Sequence, residues 1–240
     1  MNTISFKEKE NIKMIAHRGL SGLERENTCP AFVAAGVKSY YGIETDIHVT
    51  ADGKFIVIHD DDLKRVAGVN MVVEESNFDD LRAVRFTDRD EATKRADIFL
   101  PSLEEYISIC KKYGKQSILE LKNRMETEKV WEIAAVIKDM GWLDRTTFIS
   151  FQADNLLDLR KKYPEADAQF LTGDSSEKTL QFLIENHIDA DFWEGCVTKE
   201  VVDRLHAAGR TVNCYTIDTM ESALAMKAAG VDYITTDILE

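Results

Sequence analysis

The sequence predicts an α/β protein folded as a single (β/α)8 TIM barrel. From residue 100 onward, short apolar runs alternate with segments of helical periodicity, and this alternation indicates a parallel sheet. Counting along the chain predicts eight strands, with helices between most of them. An open doubly wound sheet shows the same alternation. Eight strands within 240 residues favour the closed barrel, whose usual size is about 250 residues.

The N-terminal part of the sequence predicts two strands and one helix, after which the alternation of strands and helices is interrupted. Residues 13–16 and 42–47 have the composition of strands, and a helix of about 28–35 lies between them. The segment of about 61–100 then contains an apolar patch at 69–73 and a highly charged stretch. We interpret this segment as a small insertion after the second strand, on the barrel face that carries active-site loops.

Helix ends are well marked in the C-terminal half of the chain. Ser102 and Glu105 form a capping box that begins one helix, and Gly114 ends it. We assign residues 1–240 to one domain, because no linker or low-complexity tract divides the pattern. The remaining predicted strands are 116–122, 146–151, 168–171, 190–193, 211–216 and 233–236, and the predicted helices are 102–113, 126–140, 153–163, 176–185, 199–208 and 220–229.

Composition and charge disfavour several functions. A formal net charge of −13 repels a nucleic-acid duplex, so we expect no nucleic-acid partner, and a phosphorylated substrate would need a local cluster of cations. No apolar run approaches the roughly 20 residues of a membrane helix, and the N-terminus lacks the apolar core of a secretory signal. We therefore expect no membrane span and a cytoplasmic location. The scattered cysteines predict neither disulfides nor a thiolate zinc site.

Acidic residues lie near the carboxyl ends of predicted strands, which in a parallel barrel form the catalytic face. Glu44 and Asp46 share one face of their strand, and Glu120 repeats the pattern on the next barrel strand. Three carboxylates inside a barrel repel one another and lose hydration, unless a hard cation such as Mg²⁺ or Ca²⁺ compensates them. A solvent-facing strand would explain Glu44 and Asp46 alone. With Glu120 included, the sequence predicts a site for one divalent cation.

Two histidines accompany this cluster. His17 ends the first strand, and His59 follows the apolar run at 55–58. A lone histidine at such a position is usually structural or caps a loop. Two of them at strand ends beside a carboxylate cluster predict an acid and base pair.

Arg18 and Lys122 supply the local positive charge that an acidic protein needs to hold a phosphate. Arginine offers a planar fork to two phosphate oxygens, whereas lysine acts as a point charge. The alternative interpretation is that Lys122 only pairs with Glu120 and Asp46.

In this order, these residues resemble the glycerophosphodiester phosphodiesterase family, in its bacterial cytosolic form. The resemblance spans nearly the whole chain, and the joint motif is highly specific although each piece alone is weak. The matching pieces are His17-Arg18-Gly19, Glu26-Asn27-Thr28, residues 42–47 (GIETDI), residues 50–53 (TADG), His59-Asp60 with Leu63 and Arg65, residues 101–105 (PSLEE), residues 119–122 (LELK), Ser150-Phe151 and residues 233–237 (YITTD).

The resemblance implies a barrel enzyme that hydrolyses glycerophosphodiesters to sn-glycerol 3-phosphate and an alcohol. It also implies roles for individual residues through the matching motifs. Glu44, Asp46 and Glu120 would hold the metal, His17 and His59 would act as acid and base, Arg18 and Lys122 would grip the phosphate, and Asn27 would support the site.

Two features depart from the family pattern. Tyr215 stands where the family usually has Trp, which affects the expected shape of the alcohol pocket but not the chemistry. The sequence ends at Glu240, just after the eighth strand, so we expect a truncated C-terminal end without a last helix. Either the N-terminal segment 6–12 covers that gap or a neighbouring subunit does, which would make the protein a homodimer.

The sequence leaves two other functions open. A related barrel phosphodiesterase acting on lysophospholipids would be favoured by an exposed apolar rim in the 61–100 insertion, where the patch at 69–73 is modest. A catalytically inactive member would only bind a phosphate ligand, although every expected catalytic position is filled.

Overall fold

A closed parallel barrel forms the body of the protein, in a computed structural model that describes residues 2–90, 92–93 and 95–240. Met1 and two residues of the predicted insertion, Glu91 and Lys94, lie outside the described residues. The strands are β1 (Lys13–Ala16), β2 (Gly42–Val49), β3 (Phe55–Val57), β4 (Gln116–Leu121), β5 (Thr146–Ser150), β6 (Asp167–Thr172), β7 (Asp189–Trp193), β8 (Val212–Tyr215) and β9 (Tyr233–Thr236). The α-helices are α1 (Cys29–Gly36), α2 (Lys64–Ala67), α3 (Phe78–Ala83), α4 (Leu103–Tyr113), α5 (Thr127–Asp139), α6 (Ala153–Lys162), α7 (Glu177–Glu185), α8 (Lys199–Ala207) and α9 (Met220–Ala229).

Strand pairing closes the barrel. The order around it is β1, β9, β8, β7, β6, β5, β4 and β2, and β2 pairs back onto β1, with Gly42 opposite Ile15. All of these pairs are parallel. Strand β3 instead pairs antiparallel with the end of β2 and does not belong to the barrel wall. The prediction of a (β/α)8 barrel is therefore confirmed.

Helix α4 illustrates how local sequence sets the elements. The Ser102 hydroxyl accepts a hydrogen bond from the Glu105 backbone N–H at 3.2 Å, and the Glu105 carboxylate accepts one from the Ser102 N–H at 2.8 Å. Gly114 ends the helix at a φ of 66°, the left-handed region that glycine adopts without steric cost.

Among the described residues, no helix has the length and apolar content that crossing a bilayer requires.

An apolar layer fills the barrel interior below the carboxyl ends of the strands. Ile15, Ile118, Ile149 and Leu171 form this layer, packed with two tyrosines. Because side chains alternate along a strand, the inward positions that follow Ile15 and Ile118 carry the polar residues of the catalytic face. The layer is therefore a dry floor for whatever binds above it.

The segment between β3 and α4 packs around a small core of its own. Val69 and Met71 are partly buried against this core, and Val73 is fully buried in it. In the described part of the segment, Val72, 39% exposed, is the one large hydrophobic side chain that faces solvent. The apolar patch at 69–73 therefore packs inward instead of forming a rim. The assignment of residues 1–240 to one domain, with 61–100 as its insertion, stays a prediction.

The N-terminal segment packs along the residues that follow β9. The Ile4 N–H donates to the Ile238 carbonyl at 3.1 Å, and the Phe6 N–H donates to the Glu240 carbonyl at 2.7 Å. Phe6 is fully buried in the main core. Residues 237–240 contain no helix, as expected. The N-terminal segment covers this part of the barrel, the first of the two arrangements that the sequence allowed.

We expect Phe6→Ala to lower the free energy of unfolding by about 3–5 kcal/mol, the usual cost of removing a buried aromatic ring. Urea denaturation measures the change. Ile4→Ala is the matched control, because Ile4 lies on the same segment but is 44% exposed. Similar losses in the two variants would show that Phe6 does not anchor the segment.

Candidate active site

Three buried carboxylates meet at the carboxyl end of the barrel. Glu44, Asp46 and Glu120 each offer one oxygen, and these oxygens lie within 4.8 Å of one another. Strand register explains the meeting, because Asp46 lies opposite Glu120 in the β2–β4 pair and Glu44 precedes Asp46 on the same face. The structure thus brings together the three acids that the sequence singled out.

The crowding of these acids changes their pKa values. Burial and repulsion by Asp46 raise the pKa of Glu44 well above its usual value, and the same two causes raise the pKa of Glu120 to about 8. Burial also acts to raise the pKa of Asp46, but the charges of Lys122 and Arg18 outweigh it, and the pKa is lowered. The surrounding protein therefore supplies too little positive charge to keep all three carboxylates ionised.

The cluster fits a hard divalent cation. Carboxylate oxygens are the ligands that Mg²⁺ and Ca²⁺ prefer. Asp46 Oδ1 is buried and accepts no hydrogen bond from the described residues, so it can bind an ion without giving up a hydrogen bond. The three acids can therefore hold one divalent cation, which would also relieve their mutual repulsion.

The two predicted phosphate-binding cations both contact the acids. Lys122 Nζ lies 2.8 Å from Glu120 Oε1 and 3.4 Å from Asp46 Oδ1, which is the pairing that the sequence offered as an alternative role. Arg18 Nε lies 3.7 Å from Asp46 Oδ2 and is buried without a hydrogen-bond partner in the described residues. Arg18 therefore keeps an unused donor at the site, whereas Lys122 is engaged with the acids.

Each of the two predicted histidines is oriented by a carboxylate. His17 Nδ1 lies 2.7 Å from Asp237 Oδ1, and His59 Nδ1 lies 2.7 Å from Asp60 Oδ1. These contacts leave Nε2 of each ring as the nitrogen available for proton transfer. Burial lowers the pKa of His59, so this ring is neutral near pH 7 and can accept a proton.

Arg65, in the segment after β3, contacts two of the carboxylates that hold active-site side chains. Its guanidinium donates to Glu26 at 2.8 Å and to Asp60 Oδ2 at 2.7 Å. Glu26 in turn accepts a hydrogen bond from Arg18 Nη1 at 2.9 Å. One arginine therefore links the carboxylate that orients His59 to the carboxylate that positions Arg18.

Asn27, to which the resemblance gave a supporting role, contacts the acid cluster. Its Nδ2 donates to Asp46 Oδ2 at 2.7 Å, and its Oδ1 accepts from the Thr45 hydroxyl at 2.6 Å. Thr45 thereby fixes which end of the amide faces Asp46. Asn27 has a φ of 54°, a left-handed conformation that asparagine tolerates better than most residues.

A cavity of about 420 Å³ opens above the apolar floor and collects most of the predicted residues. Tyr215 lines it with two further aromatic residues that the sequence did not single out for the site. The sequence does carry a signal for Trp193: it lies two residues after Asp191 on β7, so both side chains are on the same face of the strand. The cavity is lined by His17, Arg18, Glu44, His59, Glu120, Ile149, Phe151, Leu171, Asp191, Trp193, Glu194, Tyr215, Thr216 and Thr235.

A parallel barrel with acids, histidines and an arginine around a cavity at its carboxyl end is the architecture of a barrel enzyme. The model of the glycerophosphoryl diester phosphodiesterase family matches residues 17–240. A glycerophosphodiester phosphodiesterase from Bacillus altitudinis is 30% identical over 239 residues, which cover 94% of each chain. The chain therefore belongs to the glycerophosphoryl diester phosphodiesterase family, whose members are phosphoric diester hydrolases.

Solved structures agree with the fold. A phosphodiesterase from Oleispira antarctica, in complex with the product sn-glycerol-3-phosphate, has a TM-score of 0.84 and 23% identity, and the match covers 94% of this chain and 92% of that one. A glycerophosphodiester phosphodiesterase from Parabacteroides distasonis has a TM-score of 0.77 and 26% identity, and the match covers 99% of this chain and 94% of that one. The same barrel therefore occurs in an enzyme that binds this product.

We expect Mg²⁺ or Ca²⁺ to bind the protein with one site, and Asp46→Asn to weaken that binding about tenfold or more, because it removes a charged ligand. Isothermal titration calorimetry measures both. Asp203→Asn is the control, since Asp203 is exposed on α8 and pairs with Lys199. Unchanged affinity in Asp46→Asn would exclude the acid cluster as the ion site.

Proposed function

We propose that the protein hydrolyses glycerophosphodiesters to sn-glycerol 3-phosphate and an alcohol, with one divalent cation and histidine acid–base catalysis. One observation carries the proposal: Glu44, Glu120, both histidines and Arg18 line a single open cavity, and Asp46 lies against the two glutamates in the acid cluster. Membership of the family supports the reaction class. The product complex of the Oleispira antarctica structure supports the choice of glycerol phosphate.

The phosphate would bind beside the acid cluster. Glu44, Asp46 and Glu120 would hold the cation, which when bound supplies positive charge against the charge that develops on the phosphate. Arg18 lines this cavity, and its guanidinium can donate to a phosphate oxygen. Lys122 neutralises two of the acids and adds its charge to the same field.

We assign the base to His59 and the acid to His17. His59 is neutral near pH 7 because burial lowers its pKa, so it can take the proton of the nucleophile. Water as the nucleophile gives glycerol 3-phosphate directly, whereas the neighbouring glycerol hydroxyl gives a cyclic phosphate that water then opens. As the bond from phosphorus to the alcohol oxygen breaks, His17 donates its proton to that oxygen. Asp60 and Asp237 contact Nδ1 of the two rings, which orients Nε2 of His59 to take a proton and Nε2 of His17 to give one.

The described residues of the 61–100 segment do not form the apolar rim that would favour a lysophospholipid substrate. We therefore propose no second reaction. The cytoplasmic location, the absence of a nucleic-acid partner and a homodimeric state stay predictions.

His17→Ala and His59→Ala should each lower kcat by about 10²–10⁴-fold, the usual contribution of one acid or base group. The assay follows the release of glycerol 3-phosphate with added Mg²⁺ or Ca²⁺ and again with EDTA. His206→Ala is the control, because His206 lies on α8 and pairs with Asp232. Near-normal turnover in either active-site variant would overturn the assignment, and no turnover in any metal would indicate an inactive, phosphate-binding member.

Arg65→Lys should lower kcat/KM about tenfold, because lysine cannot hold Glu26 and Asp60 together. The melting temperature should change little, which separates positioning from stability. Arg82→Lys is the matched control, since Arg82 makes a two-pronged pair with Glu105 away from the cavity. An equal effect of the two variants on kcat/KM would contradict a positioning role for Arg65.

A further inference from the structure

The turn after β9 carries the carboxylate that contacts His17, and no helix follows to hold this turn. Asp237 Oδ1 lies 2.7 Å from His17 Nδ1, and residues 237–240 contain no helix. Backbone N–H groups outside a helix or sheet need other acceptors. The direction of the Asp237 side chain therefore depends on the groups that bind the backbone of the turn.

Two side chains supply acceptors for this backbone. Asp218 Oδ1 accepts a hydrogen bond from the Asp237 N–H at 2.7 Å and another from the Thr236 hydroxyl at 3.0 Å. The Thr236 hydroxyl oxygen in turn accepts from the N–H groups of Ile238 and Leu239, at 3.2 Å and 3.1 Å. Asp218 and Thr236 thus bind the N–H groups of three consecutive residues.

Asp218 reaches the turn from the loop after β8, and its neighbours in the chain are fixed on both sides. Ile217 is fully buried, and its N–H donates to the Thr235 carbonyl at 3.0 Å, which ties the loop to β9. Thr219 caps α9, where its hydroxyl accepts from the Ser222 N–H at 3.1 Å. Asp218 is therefore a well-held support for the turn.

The Asp237 carboxylate has little other support. Asp60, its counterpart beside His59, is held by Arg65, whereas in the part of the chain that the structure describes no Lys or Arg side chain pairs with Asp237. Ser21 Oγ lies 2.8 Å from Asp237 Oδ1, but also 2.8 Å from the carbonyl oxygen of residue 17, and one hydroxyl proton cannot serve both acceptors fully. The position of Asp237 therefore rests on its backbone.

We propose that Asp218 is a positioning residue for the proton donor His17. The inference rests on the proposed hydrolysis with His17 as the acid, and it adds a residue that is not among the described residues lining the cavity. By holding the backbone of Asp237, Asp218 fixes the carboxylate that orients the His17 ring. Nε2 of the ring can then deliver its proton to the departing alcohol.

A purely structural role is the alternative interpretation, because an acid just before a helix such as α9 stabilises that helix through its dipole. The two roles differ in their effect on the rate. A loss of stability lowers the amount of folded enzyme and affects every substrate equally. A displaced acid affects only those substrates whose leaving group needs a proton.

The test compares the glycerophosphodiester of ethanol with that of p-nitrophenol. Nitrophenol leaves as its anion, whereas ethanol needs a proton from His17 as its bond to phosphorus breaks. We expect Asp218→Ala to lower kcat/KM about tenfold more for the ethyl diester than for the nitrophenyl diester, because small displacements of a catalytic group are costly. Asp218→Asn keeps an acceptor oxygen for the Asp237 N–H and should restore the wild-type ratio of the two substrates.

Asp232→Ala is the matched control at the other end of β9. The Asp232 carboxylate accepts from the Val212 N–H at 2.8 Å, so this variant also removes an acceptor of a backbone N–H beside β9. Both alanine variants should lower the melting temperature, but only Asp218→Ala should change the ratio of the two substrates. If Asp218→Ala does not fold, Thr236→Val decides the question, because it removes the hydroxyl between Asp218 and the turn.

Equal losses on the two diesters in Asp218→Ala, or the same change of ratio in Asp232→Ala, would overturn the positioning role and leave the proposed hydrolysis intact. His17→Ala tests the proposed function separately. If it lowers kcat/KM equally for both diesters, His17 is not the acid, and if the wild-type protein hydrolyses neither diester, the proposed reaction itself is wrong. The failures are therefore distinguishable in one set of assays.

Discussion

The mutual repulsion of three buried carboxylates is the constraint on which the site depends. Glu44, Asp46 and Glu120 are at most 7% exposed, and their nearest oxygens lie within 4.8 Å of one another. Protein groups compensate them only in part, since the pKa of Glu120 remains raised to about 8 despite its contact with Lys122. The barrel thus holds a concentration of negative charge that a divalent cation would stabilise.

The two histidines and Arg18, which surround the acid cluster, each contact a further carboxylate. Negative, basic and again negative side chains therefore follow one another outward from the acid cluster. Asp237 holds His17, Asp60 holds His59, and Glu26 holds Arg18. Each of these acids lies in a loop or at a strand end, where the backbone is less constrained than in the barrel wall. The hydrogen bonds from these acids fix the directions of the two histidine rings and of the Arg18 guanidinium. Proton transfer at a defined nitrogen requires such fixed directions.

Much of the fold and the central acids could be predicted from sequence, because their signals are local. The two-residue spacing of Glu44 and Asp46 places both on one face of a strand, and their meeting with Glu120 needs only the pairing of neighbouring parallel strands. The Arg65 network could not be predicted in this way, because it joins residues 39 positions apart through loops without periodicity. The alternation within β7 turns Trp193 towards the cavity, but its position beside Tyr215 depends on the β7–β8 register, which a single strand does not reveal.

Anomalous diffraction from crystals grown with Mn²⁺ would test the central claim most directly, because it locates the ion independently of activity. We expect a single strong peak between β2 and β4, within about 2.0–2.6 Å of oxygens from Glu44, Asp46 and Glu120. A peak elsewhere with these three carboxylates still free of metal would contradict it.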